Sequence, residues 1–283
     1  MTSQDLLIHR ETIGKGSKSF ALASLLFSKR QKESAWKLYS WCRFCDDQVD
    51  NVPADSAADR LRYLENATKN VMLDENSILP FRGLKDVIEH HQLPQRHPLE
   101  LLRGMRMDVE GRRYQTLAEL EEYCYCVAGV VGLMMCSVMG VKSEQAYPHA
   151  VAMGNAMQLT NICRDIREDY QRGRIYLPLE WLNEKSLNAE NLLNPENEMA
   201  VVELQERLLQ RADELYRQGY AGLKYLSFRS AWAVLVAAKV YSHIGVLIRK
   251  SPSRSLRERT IVSLSKKIFL VLGAVPRMIW SYR

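Results

Sequence analysis

The stretch Gln158-Leu-Thr-Asn-Ile-Cys-Arg-Asp-Ile-Arg-Glu-Asp169 decides the fold, because its pattern predicts one face of a long helix. In a helix, Asp165 and Asp169 lie one turn apart and about 40° apart around the axis. Asn161 lies one turn earlier on the same stripe, and Gln158 lies beyond it. Two carboxylates at this spacing repel each other by a few tenths of a kcal/mol. A helix that carries them beside a carboxamide is suited to a hard divalent cation such as Mg²⁺, which prefers oxygen ligands.

A second acidic stretch, Arg43-Phe-Cys-Asp-Asp-Gln-Val-Asp50, repeats this arrangement. Asp46 and Asp50 are again four residues apart, whereas Asp47 points about 100° away from Asp46. The two stretches are too far apart in the chain to share one helix. The pattern therefore predicts two helices whose acidic faces meet across a cavity.

Acidic pairs at this spacing are more often solvated helix surfaces, so the surrounding residues matter. Apolar side chains crowd both stretches, and buried charges need partners or a metal. The flanking apolar residues are Leu38, Tyr39, Trp41, Cys42, Phe44, Cys45, Met157, Leu159, Ile162 and Cys163. These flanks favour a metal-binding interior over a solvated face.

The composition is that of a globular protein, with 47% hydrophobic and 25% charged residues among 283. The net charge of +6 suits anionic substrates or an anionic membrane surface, and no long basic tract indicates a nucleic-acid partner. The first twenty residues contain Asp5 and Glu11 and lack a long apolar run, so no secretory signal is expected. The cysteines lie in apolar helical patterns, which favours reduced thiols and a cytoplasmic location.

Helical periodicity dominates the chain, and no convincing alternating strand pattern occurs. We therefore expect one all-α domain over residues 1–283 that encloses a central apolar cavity. Tyr123–Val141 is a run of nineteen residues without a charge, which reaches the edge of membrane-spanning length. Its glycines, cysteines and serine favour a buried helix instead. His90, His91 and His97 are interpreted as surface residues.

Two further segments invite a functional interpretation. Gly14–Ser19 breaks a helical pattern, and its backbone amides, hydroxyls and Lys18 can hold phosphate oxygens, although a plain helix break explains the pattern equally well. Residues 268–275 are apolar and lie beside Lys266, Lys267 and Arg277. A membrane-contacting tail over about 262–283 is a further interpretation.

Several segments together resemble the squalene and phytoene synthase family. They occur in the family's order, and the likeness covers roughly residues 10–260. The matching segments are Gly16–Phe20, Tyr39–Asp50, Met105–Asp108 with Tyr114, Tyr123–Gly132, Gln158–Asp169 and Gly173–Pro178. Through Val127–Met135, the likeness is greatest to bacterial phytoene-forming members.

The resemblance implies an isoprenoid-synthase-type helical bundle that condenses two geranylgeranyl diphosphates head to head. The implied reaction is a transferase step of carotenoid biosynthesis that passes through a cyclopropyl diphosphate, releases diphosphate and yields a C40 hydrocarbon. It implies Mg²⁺, with Mn²⁺ as an alternative, and no NADPH. The lipid-like product expected from the resemblance, with the net positive charge and the apolar segment 268–275, favours a peripheral contact with the cytoplasmic face of a membrane.

The resemblance assigns roles to individual residues. The metal ligands would be Asp46, Asp50, Asn161, Asp165 and Asp169. The four aspartates and Tyr123, near the reacting carbons, would be the catalytic residues. The substrate diphosphate would contact Ser17, Lys18, Ser19, Tyr39, Arg43, Gln158, Arg164, Tyr241 and Arg259. Two positions depart from the family: Gly16 replaces a histidine of some relatives, and Arg167 stands where relatives often have glycine.

Three alternatives stay open. A squalene- or dehydrosqualene-type synthase would use C15 substrates. A chain-elongating prenyltransferase or terpene cyclase would also carry DDxxD, which Asp46–Asp50 fits literally. A helical scaffold with solvated acidic faces would be no enzyme at all, and it would show no metal-dependent binding of a prenyl diphosphate.

Overall fold

Helices joined by short turns form most of the chain. The computed structural model describes residues 2–74 and 78–281, and no β-strand occurs in that part. The helices are α1 (Ser3–Gly16), α2 (Lys18–Ser24), α3 (Lys29–Asp50), α4 (Ala54–Lys69), α5 (Leu79–His91), α6 (Arg96–Val109), α7 (Leu117–Cys124), α8 (Val130–Met139), α9 (Tyr147–Gln171), α10 (Leu179–Glu184), α11 (Glu198–Tyr220), α12 (Phe228–Lys250), α13 (Pro252–Ser255) and α14 (Leu264–Ser281). The predicted all-α class is confirmed.

Side-chain caps fix where several helices begin. Thr2 accepts a hydrogen bond from the Asp5 amide at 3.2 Å while Asp5 accepts one from Thr2, so α1 starts with a capping box. Ser28 and Gln31 form the same arrangement at the start of α3. Ser17 ends α1 with an extended backbone and caps α2 through the Phe20 amide. The predicted helix break at Gly14–Ser19 is therefore a junction between two helices.

Two apolar clusters form the core, one on each side of a central space. In the larger cluster, α9 packs against α11 and α12. In the other, α3 packs against α5, and α4 packs against α6. Helix α8 contacts both α3 and α9, so it bridges the two halves. This arrangement holds the acidic ends of α3 and α9 on opposite sides of one cavity.

The predicted charge-free helix is part of a longer unit that includes α7, a π-helical turn at Tyr125–Gly129 and α8. Its backbone touches that of α9. A Cβ atom on Gly154 would lie 2.3 Å from the Ala128 carbonyl oxygen, and one on Gly132 would lie 2.4 Å from the Ala150 carbonyl oxygen. Only glycine permits so close an approach. One wall of the cavity is thus formed by two helix backbones in direct contact.

Two helical stretches, Leu117–Met139 and Phe228–Lys250, are long and apolar enough to cross a membrane by length and composition alone. Both contribute residues to the wall of the central cavity. Within 2–74 and 78–281, therefore, an internal apolar cavity accounts for their composition.

The surface assignment of the three histidines is wrong for His97, which is 8% exposed within α6. His91 packs against α3, where its Nε2 lies 2.8 Å from Ser34 Oγ. The apolar segment 268–275 belongs to α14, whose Phe269 is exposed. The side chains of residues 272 and 274–283, including Arg277, lie outside the described part.

Candidate active site

A cavity of about 460 Å³ lies between the two apolar clusters. Aliphatic, aromatic and methionine side chains line most of it, and polar groups gather at the end where α3 and α9 meet. The polar lining residues include Tyr39, Arg43, Asp46, Asp108, Tyr123, Gln158, Asn161 and Tyr241. The predicted central apolar cavity is confirmed.

On the α3 side of this mouth, the two carboxylates have different surroundings. Asp46 accepts a hydrogen bond from Arg43 at 3.2 Å, and Arg43 also pairs with Asp47 at 2.6 Å. Burial, with the neighbouring Asp50 charge, raises the pKa of Asp46 to about 6. Asp50 instead accepts from Arg174 at 2.6 Å, an arginine that follows α9. An arginine from the second acidic region thus crosses to the first.

On the α9 side, the first carboxylate has the close arginine contacts and the second carboxylate has the raised pKa. Asp165 accepts a hydrogen bond from Arg164 Nε at 2.8 Å and pairs with Arg259 Nε at 3.1 Å. Burial, with the Asp165 charge, raises the pKa of Asp169 to about 7. Asn161 Oδ1 is buried and has no hydrogen-bond partner among the described residues.

The predicted diphosphate contacts divide into two groups. Tyr39, Arg43, Gln158 and Tyr241 line the cavity, while Arg164 and Arg259 pair with Asp165 without lining it. Ser17 contacts Tyr241, whose pKa is raised by burial although the hydrogen bond with Ser17 lowers it. Lys18 is exposed at the start of α2, and Ser19 is half-buried. Neither lines the cavity of the described chain.

The departure at Gly16 has a structural reason. A Cβ atom there would lie 2.2 Å from the hydroxyl oxygen of Tyr39. Glycine therefore lets the Tyr39 hydroxyl rest against the backbone at the α1–α2 junction. A larger side chain at this position requires Tyr39 to move.

Asp108 is a site residue that the sequence analysis did not single out. It accepts hydrogen bonds from Tyr123 Oη at 2.9 Å and from Tyr176 Oη at 2.8 Å. Burial raises the pKa of Asp108, and the nearby Arg174 opposes that shift. Arg174 and Tyr176 were likewise noted only within a matching segment. The available signal was an acidic residue at the end of the matching segment Met105–Asp108.

The residues at the mouth suit a divalent cation in their chemistry. The donors are carboxylate and carboxamide oxygens, and Asn161, whose buried Oδ1 has no hydrogen-bond partner, lines the cavity one turn before Asp165. No group of three or more His, Cys, Asp or Glu side chains that could hold a metal ion occurs in residues 2–74 and 78–281. In this arrangement, arginines hold Asp50 and Asp165.

Comparisons with known proteins agree with this fold and site. The sequence model of the squalene/phytoene synthase family matches residues 13–266. The chain is 40% identical to a 15-cis-phytoene synthase of Enterobacter agglomerans, covering 94% of this chain and 93% of that protein. It is 39% identical to a 15-cis-phytoene synthase of Pantoea ananas, covering 97% and 92% respectively. A solved dehydrosqualene synthase superposes with a TM-score of 0.89 at 31% identity, covering 97% of this chain and 96% of that one.

The chain belongs to the squalene/phytoene synthase family and is a prenyltransferase. The resemblance found in the sequence is thereby confirmed, and so is the helical isoprenoid-synthase type of fold. Enzymes of this family generally use a divalent metal.

Proposed function

We propose that this prenyltransferase is a phytoene synthase that joins two geranylgeranyl diphosphates head to head. The observation that carries the proposal is the division of one cavity into a charged mouth and a long apolar interior. The mouth suits diphosphates, and the interior suits prenyl chains. The nearly full-length likeness to proteins named 15-cis-phytoene synthase supports the choice of substrate.

The first task of the site is to hold a leaving diphosphate. Arg43 lines the cavity, Arg164 and Arg259 pair with Asp165, and guanidinium groups bind phosphate oxygens in a bidentate manner. The buried hydroxyl of Tyr241 adds a donor. Each of these arginines is engaged with an aspartate here, so a bound anion would compete for the same donors.

A divalent ion, Mg²⁺ or alternatively Mn²⁺, would be held by Asp46, Asp50, Asn161, Asp165 and Asp169 and would supply Lewis-acid stabilisation of the leaving diphosphate. The unpaired Asn161 oxygen and the raised pKa values of Asp46 and Asp169 support this assignment. The chain's own carboxylates would thereby be relieved of their mutual repulsion.

The second task is to protect the carbocation that remains. Apolar side chains exclude water from the interior, and the Phe20 ring packs against Tyr241 in a tilted arrangement with ring centres 5.3 Å apart. Each of the two half-reactions releases one diphosphate and one proton. Asp108 accepts a hydrogen bond from the Tyr123 hydroxyl beside the cavity, so we assign proton acceptance to the Tyr123 oxygen while its own hydroxyl proton passes to the Asp108 carboxylate.

The competing function is condensation of C15 substrates, which the close superposition on a dehydrosqualene synthase favours. Purified protein should be supplied with Mg²⁺ and either diphosphate, with and without NADPH, and products identified by mass. We expect a C40 hydrocarbon from geranylgeranyl diphosphate without reductant. A product formed only from the C15 substrate, or only with NADPH, would contradict the proposal.

We further propose that the enzyme contacts the cytoplasmic face of an anionic membrane through the start of α14. Ile261, Leu264 and Phe269 are between 64% and 73% exposed there, and Lys266 lies 4.9 Å from the Phe269 ring centre. Exposed apolar groups beside cations fit an anionic lipid surface.

Flotation with anionic liposomes tests this contact. The wild-type protein should float, Phe269→Glu should float less, and Leu73→Glu, at an exposed site on another part of the surface, should behave as wild type. Wild-type protein that stays out of the liposome fraction at both low and high salt would sink the proposal.

A further inference from the structure

Residues 251–263 connect α12 to α14 and cross over α9 and α11 as a strap. Leu256 and Val262 in this strap are each 4% exposed and belong to the larger apolar cluster. Gln205 Nε2 donates to Ser255 Oγ at 3.2 Å and to the Cys163 carbonyl at 2.8 Å. The strap is thus anchored to both helices without any help from the mouth of the cavity.

Arg167 adds a direct bond between α9 and the strap. It lies off the metal-facing stripe of α9, and its Nε donates to the Leu256 carbonyl at 2.7 Å. Arg259, three residues after Leu256 in the strap, also contacts α9. Its Nε lies 3.1 Å from Asp165 Oδ1, and its Nη1 lies 3.6 Å from Glu168. The two arginines therefore close a ring of contacts between α9 and the strap.

The exposure of the Arg259 side chain bears on how this side chain is held in place. Its side chain is 47% exposed, and ion pairs so open to water contribute little to stability. Such a pair holds a long side chain in place only weakly. The backbone that carries Arg259 must be placed by other contacts, and the Arg167 bond to Leu256 is a contact made from the same helix that Arg259 addresses.

We propose that Arg167 is a positioning residue: it fixes the strap in the register that presents Arg259 to the diphosphate at the Asp165 side of the mouth. Because Arg259 binds diphosphate only in the proposed function, this inference rests on that function. Arg167 itself touches neither the cavity nor the acidic stripe in the described chain.

A double-mutant cycle tests the coupling. Arg167→Met should raise KM for geranylgeranyl diphosphate roughly tenfold, a usual size for coupled neighbours, and should change kcat much less. In an Arg259→Gln background, the same change should raise KM no further. Arg167→Lys, which can still donate to the Leu256 carbonyl, should recover most of the loss. Arg254→Met, at a strap arginine that is 75% exposed and pairs within the strap, should leave KM unchanged.

Equal losses from Arg167→Met in both backgrounds would overturn the inference, because they would indicate a general structural role. A second measurement, amide hydrogen exchange of residues 251–262, needs no activity. It should show faster exchange in Arg167→Met than in wild type, and unchanged exchange would also overturn the inference. Wild-type protein that converts no prenyl diphosphate would instead defeat the proposed function, with the exchange result still testing the strap.

Discussion

The acidic ends of α3 and α9 have the same spacing of carboxylates but different surroundings. On α3 the second carboxylate, Asp50, is held by an arginine from another segment, and the first, Asp46, is crowded by charge and burial. On α9 the first carboxylate, Asp165, is held by arginines, and the second, Asp169, is crowded. Each helix therefore has one carboxylate tied by close arginine contacts and one crowded carboxylate whose pKa is raised by burial and a like-charged neighbour, although Asp46 also accepts a hydrogen bond from Arg43 at 3.2 Å.

This difference shows that two equal sequence patterns need not be equivalent sites. The arginine held by Asp50 follows α9, whereas Asp165 is held by its neighbour Arg164 and by Arg259 of the strap. Charge partners brought from distant segments decide which carboxylate is costly to the fold. We expect the crowded pair to matter most for catalysis and the tied pair to matter also for stability.

The largest effect should come from the crowded carboxylates. Asp46→Asn and Asp169→Asn should each lower kcat about 10²- to 10³-fold at saturating Mg²⁺, because charge stabilisation of the leaving diphosphate is lost. Steady-state kinetics with a circular-dichroism check of folding measures this. Asp47→Asn, which changes the carboxylate next to Asp46 but off the acidic stripe, should cost far less. Near-normal activity of Asp169→Asn would break the symmetry between the two helices.

A smaller loss of kcat should follow from substitutions at Tyr123 and Asp108. Tyr123→Phe and Asp108→Asn should each lower kcat roughly 10²-fold, as expected for groups that transfer protons. The double variant should lose little more than either single variant, because the two residues act as a unit. Additive losses would separate Tyr123 from Asp108.

Stability should distinguish the tied from the crowded carboxylate. Asp50→Asn should lower the free energy of unfolding by about 1–3 kcal/mol, since it removes charged hydrogen bonds to Arg174 and Arg172. Asp169→Asn should leave that free energy unchanged or raise it, because it removes a repelled charge. Urea unfolding in chelator provides both values. Equal destabilisation by the two substitutions would contradict the division drawn here.

The smallest effect should be a pH dependence confined to one window. Folding raises the pKa of Asp169 from 3.8 to about 7, so the folded state binds this proton more tightly than the unfolded state. Stability from this group is therefore greatest below the ordinary pKa and is lost as pH rises toward 7. The Tm of Asp169→Asn minus that of wild type should grow across this window without metal and be constant above it. A difference that shrinks with rising pH would reverse the sign.

Much of the fold could be predicted from local pattern. Apolar periodicity and the two DxxxD stripes indicated the long helices and their meeting at a cavity, because helical spacing alone fixes which side chains share a face. The role of Asp108 could not be obtained in this way. Its partners Tyr123 and Tyr176 come from other elements, and an isolated acidic residue in α6 has no periodic signature.

The sequence also could not predict the long-range contacts of individual side chains. Helical spacing indicates only that the paired carboxylates repel each other, yet Asp50 and Asp165 each have an arginine partner supplied by the fold. His97 was interpreted as a surface residue, whereas packing buries it. Long-range contacts, unlike helical faces, depend on how the helices are arranged in space.

The backbone contact of Gly154 and Gly132 with the opposing helix has a consequence for how such a reaction chamber can diverge. Where the two backbones meet, no side chain is present that a smaller one could replace to deepen the cavity. A larger residue at either glycine would push the two helices apart. Lineages that adopt longer or shorter isoprenoids must therefore remodel the remaining walls. The contact at the two glycines would then stay unchanged, and the other walls would set the length of the product.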